Sequence, residues 1–240
     1  MQLTRRAALA AGALTLAGCS TEAQLTASPS PSPSAAPSAS HLPSEVVHGP
    51  RDRAQVALTF HGQGDDRLVR TTLTVLAQSA APVTVLAVGS WLEQSPALAR
   101  AILDGGHELG NHTYSHADIS SLDAAGQYAE ISRCAAVLRR LTGSAGRWFR
   151  PSQAPRATAA VQKQAQRAGY PTCLAYDVDS LDYTDPGPAA IVANVLNGVH
   201  NGSIVSLHLG HPGTVEALPE LVAALRRRGL TPVTATTLLS

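Results

Sequence analysis

Five short stretches of this 240-residue chain end on side chains able to hold a metal ion, move a proton or steady an anion. In Thr59-Phe60-His61-Gly62-Gln63-Gly64-Asp65-Asp66 an apolar run passes straight into a glycine-flanked polar turn. Glycine permits a tight path, so His61, Asp65 and Asp66 are presented close together. The plainer reading is a surface turn in which Asp65 or Asp66 caps a helix. In Asn111-His112-Thr113-Tyr114-Ser115-His116 the two histidines are four apart. On a helical turn that spacing sets both rings on one side, facing a common ion, and neutral imidazole suits zinc. No glutamate stands between them as in H-E-x-x-H, so a metalloprotease is excluded.

Arg150, in Phe149-Arg150-Pro151-Ser152-Gln153-Ala154, is placed to pair with a site carboxylate or with one at the rim. Tyr176-Asp177-Val178-Asp179-Ser180-Leu181-Asp182-Tyr183 carries three carboxylates but lacks the oxygen-ligand spacing of an EF-hand. In Ser203-Ile204-Val205-Ser206-Leu207-His208-Leu209-Gly210, His208 ends an apolar run, a place suited to general acid–base work, and His211 follows.

These stretches need elements to position them. Gln55–Phe60, Pro82–Val88, Arg147–Phe149, Thr172–Tyr176, Ser203–Leu207 and Pro232–Thr236 have the length and β-rich character of strands. Glu93–Asp104, Leu122–Leu141, Arg156–Ala168, Ala189–Leu196 and Val215–Arg228 have helical spacing, with Gly143 and Gly169 as stop signals. About seven strands alternating with helices predict a mostly parallel α/β fold, and pattern alone does not separate a barrel from an open sheet. No G-x-G-x-x-G or G-x-x-x-x-G-K-[ST] run is present, so phosphate cradling is not indicated.

The N-terminus reads as an export signal. Residues 1–18 carry Arg5 and Arg6 before an apolar stretch too short for a permanent span, and form a lipoprotein signal peptide. Thr4-Arg5-Arg6 resembles a twin-arginine signal, and Leu16-Ala17-Gly18-Cys19 resembles a lipobox that makes Cys19 the lipidated first residue. Residues 19–51 then form a Pro/Ser/Ala-rich tether and 52–240 the folded domain. The expected place is the outer face of the cell membrane, with the chain held by lipid at Cys19. Lys plus Arg number 18 against 17 Asp plus Glu, so without Arg5 and Arg6 the balance is 16 to 17. That near-neutral charge, with 4% aromatics, excludes a nucleic-acid partner. Cys134 and Cys173 either pair or stay as buried thiols, and neither belongs to a C-x-x-C.

Taken in order, the five stretches resemble the polysaccharide deacetylase family, the NodB-homology or carbohydrate esterase family 4 domain. Gly106-His107-Glu108-Leu109-Gly110-Asn111-His112-Thr113 through His116 closely matches its histidine motif. The resemblance covers about residues 52–240 and implies a distorted (β/α) barrel of about seven strands. It implies a hydrolase that uses a divalent metal to remove acetyl groups from an N-acetylated glycan such as peptidoglycan or a chitin-like oligomer; Zn2+, which suits the imidazoles, is the expected ion, and a monomer is expected. His112 and His116 carry over as metal ligands, Arg150 as the residue orienting the base, His208 as the catalytic histidine and Asp182 as its support. His107 carries over as a structural residue under the site.

The first motif departs from the family's Thr-Phe-Asp-Asp-Gly, because His61 and Gly62 replace the two aspartates that serve as base and ligand. Two repairs follow: Asp65 reaches the metal and His61 takes the proton, or His61 ligates and Asp65 is the base. Ser152-Gln153-Ala154 replaces the usual Pro-Tyr-Gly, leaving the amide near Gln153 to hold an oxyanion. The alternative function is a non-catalytic carbohydrate-binding lipoprotein on the same scaffold.

Overall fold

A computed structural model describes residues 42–240. The signal peptide, Cys19 and most of the tether lie outside the described residues. The described residues form eight strands: β1 Glu45–Val46, β2 Gln55–Gly62, β3 Thr84–Ala87, β4 Glu108–Asn111, β5 Cys173–Leu174, β6 Val178–Asp179, β7 Ile204–His208 and β8 Thr231–Val233. Between and around them run α1 Asp66–Gln78, α2 Gly89–Gln94, α3 Pro96–Asp104, α4 Ala124–Thr142, α5 Ala159–Arg167, α6 Pro188–Gly198, α7 Pro212–Arg227 and α8 Ala235–Leu238.

The main sheet runs β4-β3-β2-β7-β6, and β8 also pairs with the start of β2. Every ladder is parallel. Single parallel bridges, Asn111 to Phe149 and Phe149 to Cys173, carry the pairing on from β4 to β5. The same chain segment then continues from β5 into β6, which pairs with β7. The sheet thus curls round into a distorted barrel, closed by an irregular stretch rather than by full strands. Parallel strands are covered by helices on their outer face, so β3 is wholly buried.

Where the elements differ from expectation, local chemistry explains it. The single helix expected over Glu93–Asp104 is two, because Pro96 opens a new helix at its first turn. The first helix, α1, is threonine-rich and reads poorly as a helix. Its Thr71, Thr72 and Thr74 hydroxyls donate to carbonyls four residues back. The strand β4 hides inside the histidine motif. Its Gly110 lets the Trp148 carbonyl approach to 2.7 Å from where a Cβ would stand, which joins β4 to the Phe149 strand. Arg147–Phe149 contributes only the one bridging residue, and Pro232–Thr236 turns from strand into α8 after Val233.

The boundary at residue 52 is corrected. β1 pairs with β5 through Glu45–Cys173 and Val46–Leu174, and Val46 is buried against Leu174 and Trp148. Residues 42–51 belong to the folded domain. Cys134 and Cys173 are both free and buried, and burial pushes each thiol up to about 12.

A chain starting at residue 52 therefore loses the β1 ladder and uncovers the β5 edge. Burying one valine is worth about 1.5–3 kcal/mol. We expect the midpoint of thermal unfolding to fall by several degrees relative to a chain starting at residue 42; equal midpoints by calorimetry would contradict it.

Candidate functional site

The site lies where β2 and β7 end, and where the loops after β4, Phe149 and β6 converge. His61 and His208 are register partners on the adjacent strands β2 and β7. Their rings stack with centroids 4.4 Å apart. The pairing follows from the pleat, because residues opposite one another on neighbouring strands send their side chains to the same face.

His112 leaves the end of β4 and His116 follows in an irregular loop, not on the helical turn that their spacing suggested. Thr113 and His116 have φ of 67° and 60°. The loop is held by Glu130 of α4, whose carboxylate accepts from the Tyr114 and Ser115 amides and the Ser115 hydroxyl. Asn111 holds its start, accepting from the Thr113 amide and donating to the Ile131 carbonyl. The two imidazoles still come together, with centroids 5.0 Å apart. No sequence signal marked Glu130, which lies 15 residues beyond Ser115 in an otherwise ordinary helix. Of the six described non-glycine residues with positive φ, five (Thr113, His116, Gln153, Leu181 and Asp185) lie in the loops around this site. Such strain persists only where surrounding contacts over-determine it.

Arg150 is fully buried. Its Nε donates to the Leu174 carbonyl at 2.8 Å, and one terminal nitrogen to Thr59 Oγ1 at 2.9 Å and the Ala175 carbonyl at 3.1 Å. Its other terminal nitrogen lies 3.3 Å from His61 Nε2. Burial lowers its pKa to about 10, so it is charged at neutral pH. Ser206 Oγ lies 3.0 Å from the same His61 nitrogen. His61 Nδ1 lies 3.0 Å from His112 Nε2, and His112 Nδ1 lies 3.0 Å from the Arg150 carbonyl oxygen.

On the other side, Asp182 is completely buried. It accepts from His208 Nδ1 at 2.7 Å, the His208 amide at 2.7 Å and the Thr214 hydroxyl at 2.6 Å. Burial raises its pKa, but these three donors outweigh that and hold it below the ordinary carboxylate value. His208 therefore keeps Nδ1 on Asp182 and leaves Nε2 as the free ring nitrogen. Asp177 is committed elsewhere, to Arg51 and to the Ser203 hydroxyl and Ile204 amide. His61, His116, Gln153, Tyr176, Asp179, Tyr183 and His208 line the resulting cleft of about 290 Å³. Gln153 also binds the His116 carbonyl through its side chain. Ser152 is buried and bonded to Thr113 and Ala117. His107 lies away from the cleft, its Nδ1 accepting from the Val83 amide.

Asp65 does not join the cluster, and both repairs that used it are corrected. Its carboxylate accepts from the Arg67 and Leu68 amides as the N-cap of α1, and its side chain faces solvent. Nor do the remaining residues fit a metal ion. The facing nitrogens of His61 and His112 stand 3.0 Å apart and meet each other as hydrogen-bond partners, and the Arg150 cation lies against the other nitrogen of His61. Among the described residues no group of three His, Cys, Asp or Glu side chains is arranged to hold an ion.

His61 and His112 both have pKa values well below 6.5, first because of burial and then because of neighbouring imidazoles and Arg150. In the unfolded chain the same rings take up protons near pH 6.5, so the unfolded state binds more protons below that pH. Stability is therefore full above about pH 6.5 and falls as pH drops toward the depressed folded values. Asp182 acts only below the ordinary carboxylate pKa of 3.8 and leaves this window alone. Unfolding free energy should decline between about pH 7 and 5, less steeply in His61→Gln. Denaturant titrations with identical slopes in the two proteins would contradict this.

Residues 48–173 match the polysaccharide deacetylase family. The chain is similar to the uncharacterized protein YlxY of Bacillus subtilis, 25% identical over 197 residues. That match covers 82% of this chain and 61% of YlxY, so the chain spans less than two thirds of that relative. It is also similar to a chitooligosaccharide deacetylase of Bradyrhizobium, 32% identical over 190 residues that cover 72% of this chain and 85% of that protein. Among solved structures it resembles a mutant of BA3943, a family 4 carbohydrate esterase pseudoenzyme of Bacillus anthracis, in which enzymatic activity was restored. The TM-score is 0.78 at 25% identity, covering 83% of this chain and 72% of that one. Motif order, barrel and family match agree: this chain belongs to the polysaccharide deacetylase family.

Proposed function

We propose that this domain binds an N-acetylated glycan of the peptidoglycan or chitin type without hydrolysing it. The observation that carries this reading is the rebuilt end of β2. The family's two carboxylates are replaced by His61, bonded to His112, and by Gly62. Asp65 does not take their place, because it caps α1, and Asp179, the carboxylate lining the cleft, accepts from the Leu181 amide. What remains is an open cleft with polar and aromatic walls, where Tyr183 is half-exposed beside His208. Tyrosine offers a sugar a flat apolar face and a hydroxyl. The names of the relatives support the ligand class, since they include chitooligosaccharide and peptidoglycan-N-acetylglucosamine deacetylases. Export and lipidation at Cys19 would place the cleft at the outer face of the membrane, beside such polymers; Cys19→Ser should then move the protein from the membrane to the soluble fraction.

A second reading, a working deacetylase with Zn2+ at the site, is favoured by one observation: the Asp182–His208 pair is intact and placed to protonate a departing amine. A single experiment separates the two. The full chain is mixed with N-acetylglucosamine oligomers, and binding and acetate release are followed together, with and without added zinc. We expect saturable binding with no acetate above the blank. Tyr183→Ala should weaken binding about fivefold to tenfold, corresponding to ~1–1.4 kcal/mol. Acetate release that disappears in His208→Ala would establish the deacetylase reading instead.

A further inference from the structure

The rings of the rebuilt motif have determinate tautomers, fixed from two ends. A carbonyl oxygen only accepts, so the His112 nitrogen facing the Arg150 carbonyl, Nδ1, carries hydrogen. A neutral His112 is therefore bare at Nε2 and accepts from His61 Nδ1–H. His61 is then bare at Nε2, and there it meets a guanidinium N–H of Arg150, a group that only donates. The hydrogen bonds form a closed circuit, from the Arg150 side chain through His61 and His112 back to the Arg150 carbonyl. Reversing either ring would set two donors or two acceptors face to face.

The circuit has a chemical consequence. A histidine whose Nδ1–H is anchored on a backbone carbonyl presents Nε2 as a ligand atom. His112 is held in that way, but the hydrogen of His61 occupies its lone pair. We infer that His61 is a built-in replacement for a metal ion: its Nδ1–H fills the ligand position of His112 and keeps divalent metal out of the site. The backbone supplies a second block. Gly62 pairs with Ala87, and a Cβ there would lie 2.7 Å from the Leu86 carbonyl oxygen and 2.8 Å from Ala87 Cα. β2 and β3 have closed over the position where a ligating aspartate would project, so restoring one there requires the strands to part. The inference rests on the reading of the domain as non-catalytic and names what keeps its centre metal-free.

The test uses the full chain without a histidine tag, with zinc as the probe. Titration calorimetry should detect no specific zinc site in the wild type. His61→Asp removes the blocking N–H and leaves a carboxylate beside His112 and His116, so it should bind zinc at least tenfold more tightly. Nitrogen-15 shifts of the histidine rings supply a readout on the wild type itself: His61 and His112 should both be protonated at Nδ1 and bare at Nε2, unchanged by zinc. One equivalent of zinc bound by the wild type and lost in His112→Ala would overturn the inference. So would a His61→Asp protein no better at binding zinc, or a wild-type His112 protonated at Nε2. Glycan binding is scored separately: a protein that binds both glycan and zinc defeats this inference alone, and one that binds neither defeats only the glycan-binding reading.

Discussion

A buried guanidinium with no carboxylate partner is the constraint on which this domain turns. Removing an isolated charge from water is costly unless its protons are all received. Arg150 places four of its five N–H donors, on the Leu174 and Ala175 carbonyls, Thr59 Oγ1 and His61 Nε2. These acceptors come from β2 and from the irregular segment that closes the barrel. Satisfying the arginine therefore ties the Leu174–Ala175 stretch to the central strand β2. The same residue orients the site, because its side chain meets one histidine and its carbonyl the other.

The two halves of the site differ in kind. The Asp182–His208 half has three donors on one carboxylate and a free nitrogen facing the cleft. The β2 half contains no carboxylate; imidazole nitrogens meet each other and a cation. Its rings favour the neutral form because burial and neighbouring charge both disfavour protonation. With Arg150 behind the wall and Asp182 engaged, the cleft is lined chiefly by imidazole, amide and aromatic groups, together with Asp179. Such a surface suits an uncharged sugar better than a phosphate or a nucleic acid.

Much of this was legible from residue order. The five stretches ending on His61, His112 and His116, Arg150, Asp182 and His208 all converge, since parallel strands bring their C-terminal ends to the same end of the sheet. The buried thiols and the structural place of His107 also agree with one of the readings open to the sequence. Less legible were elements with mixed local signals: threonine-rich α1, β4 inside a motif, and β1, whose pairing partner lies far along the chain. The histidine spacing correctly brought His112 and His116 together but pointed to a helix, because spacing reports proximity and carries no information about φ.

The sequence by itself determined the strand–helix alternation, the family and the loss of both aspartates at positions 61 and 62. These are matters of residue identity and period. Only the tertiary structure decided what the replacements do. Asp65 is near His61 in sequence, yet two adjacent amides of the α1 terminus hold its carboxylate as a cap. His61 is chemically able to ligate, yet its partners, His112 after β4, Ser206 on β7 and Arg150 after Phe149, are each many residues away. Hydrogen-bond direction depends on which donors and acceptors surround a ring in space. That is why a residue able to replace a ligand reads instead, in the fold, as a replacement for the ion.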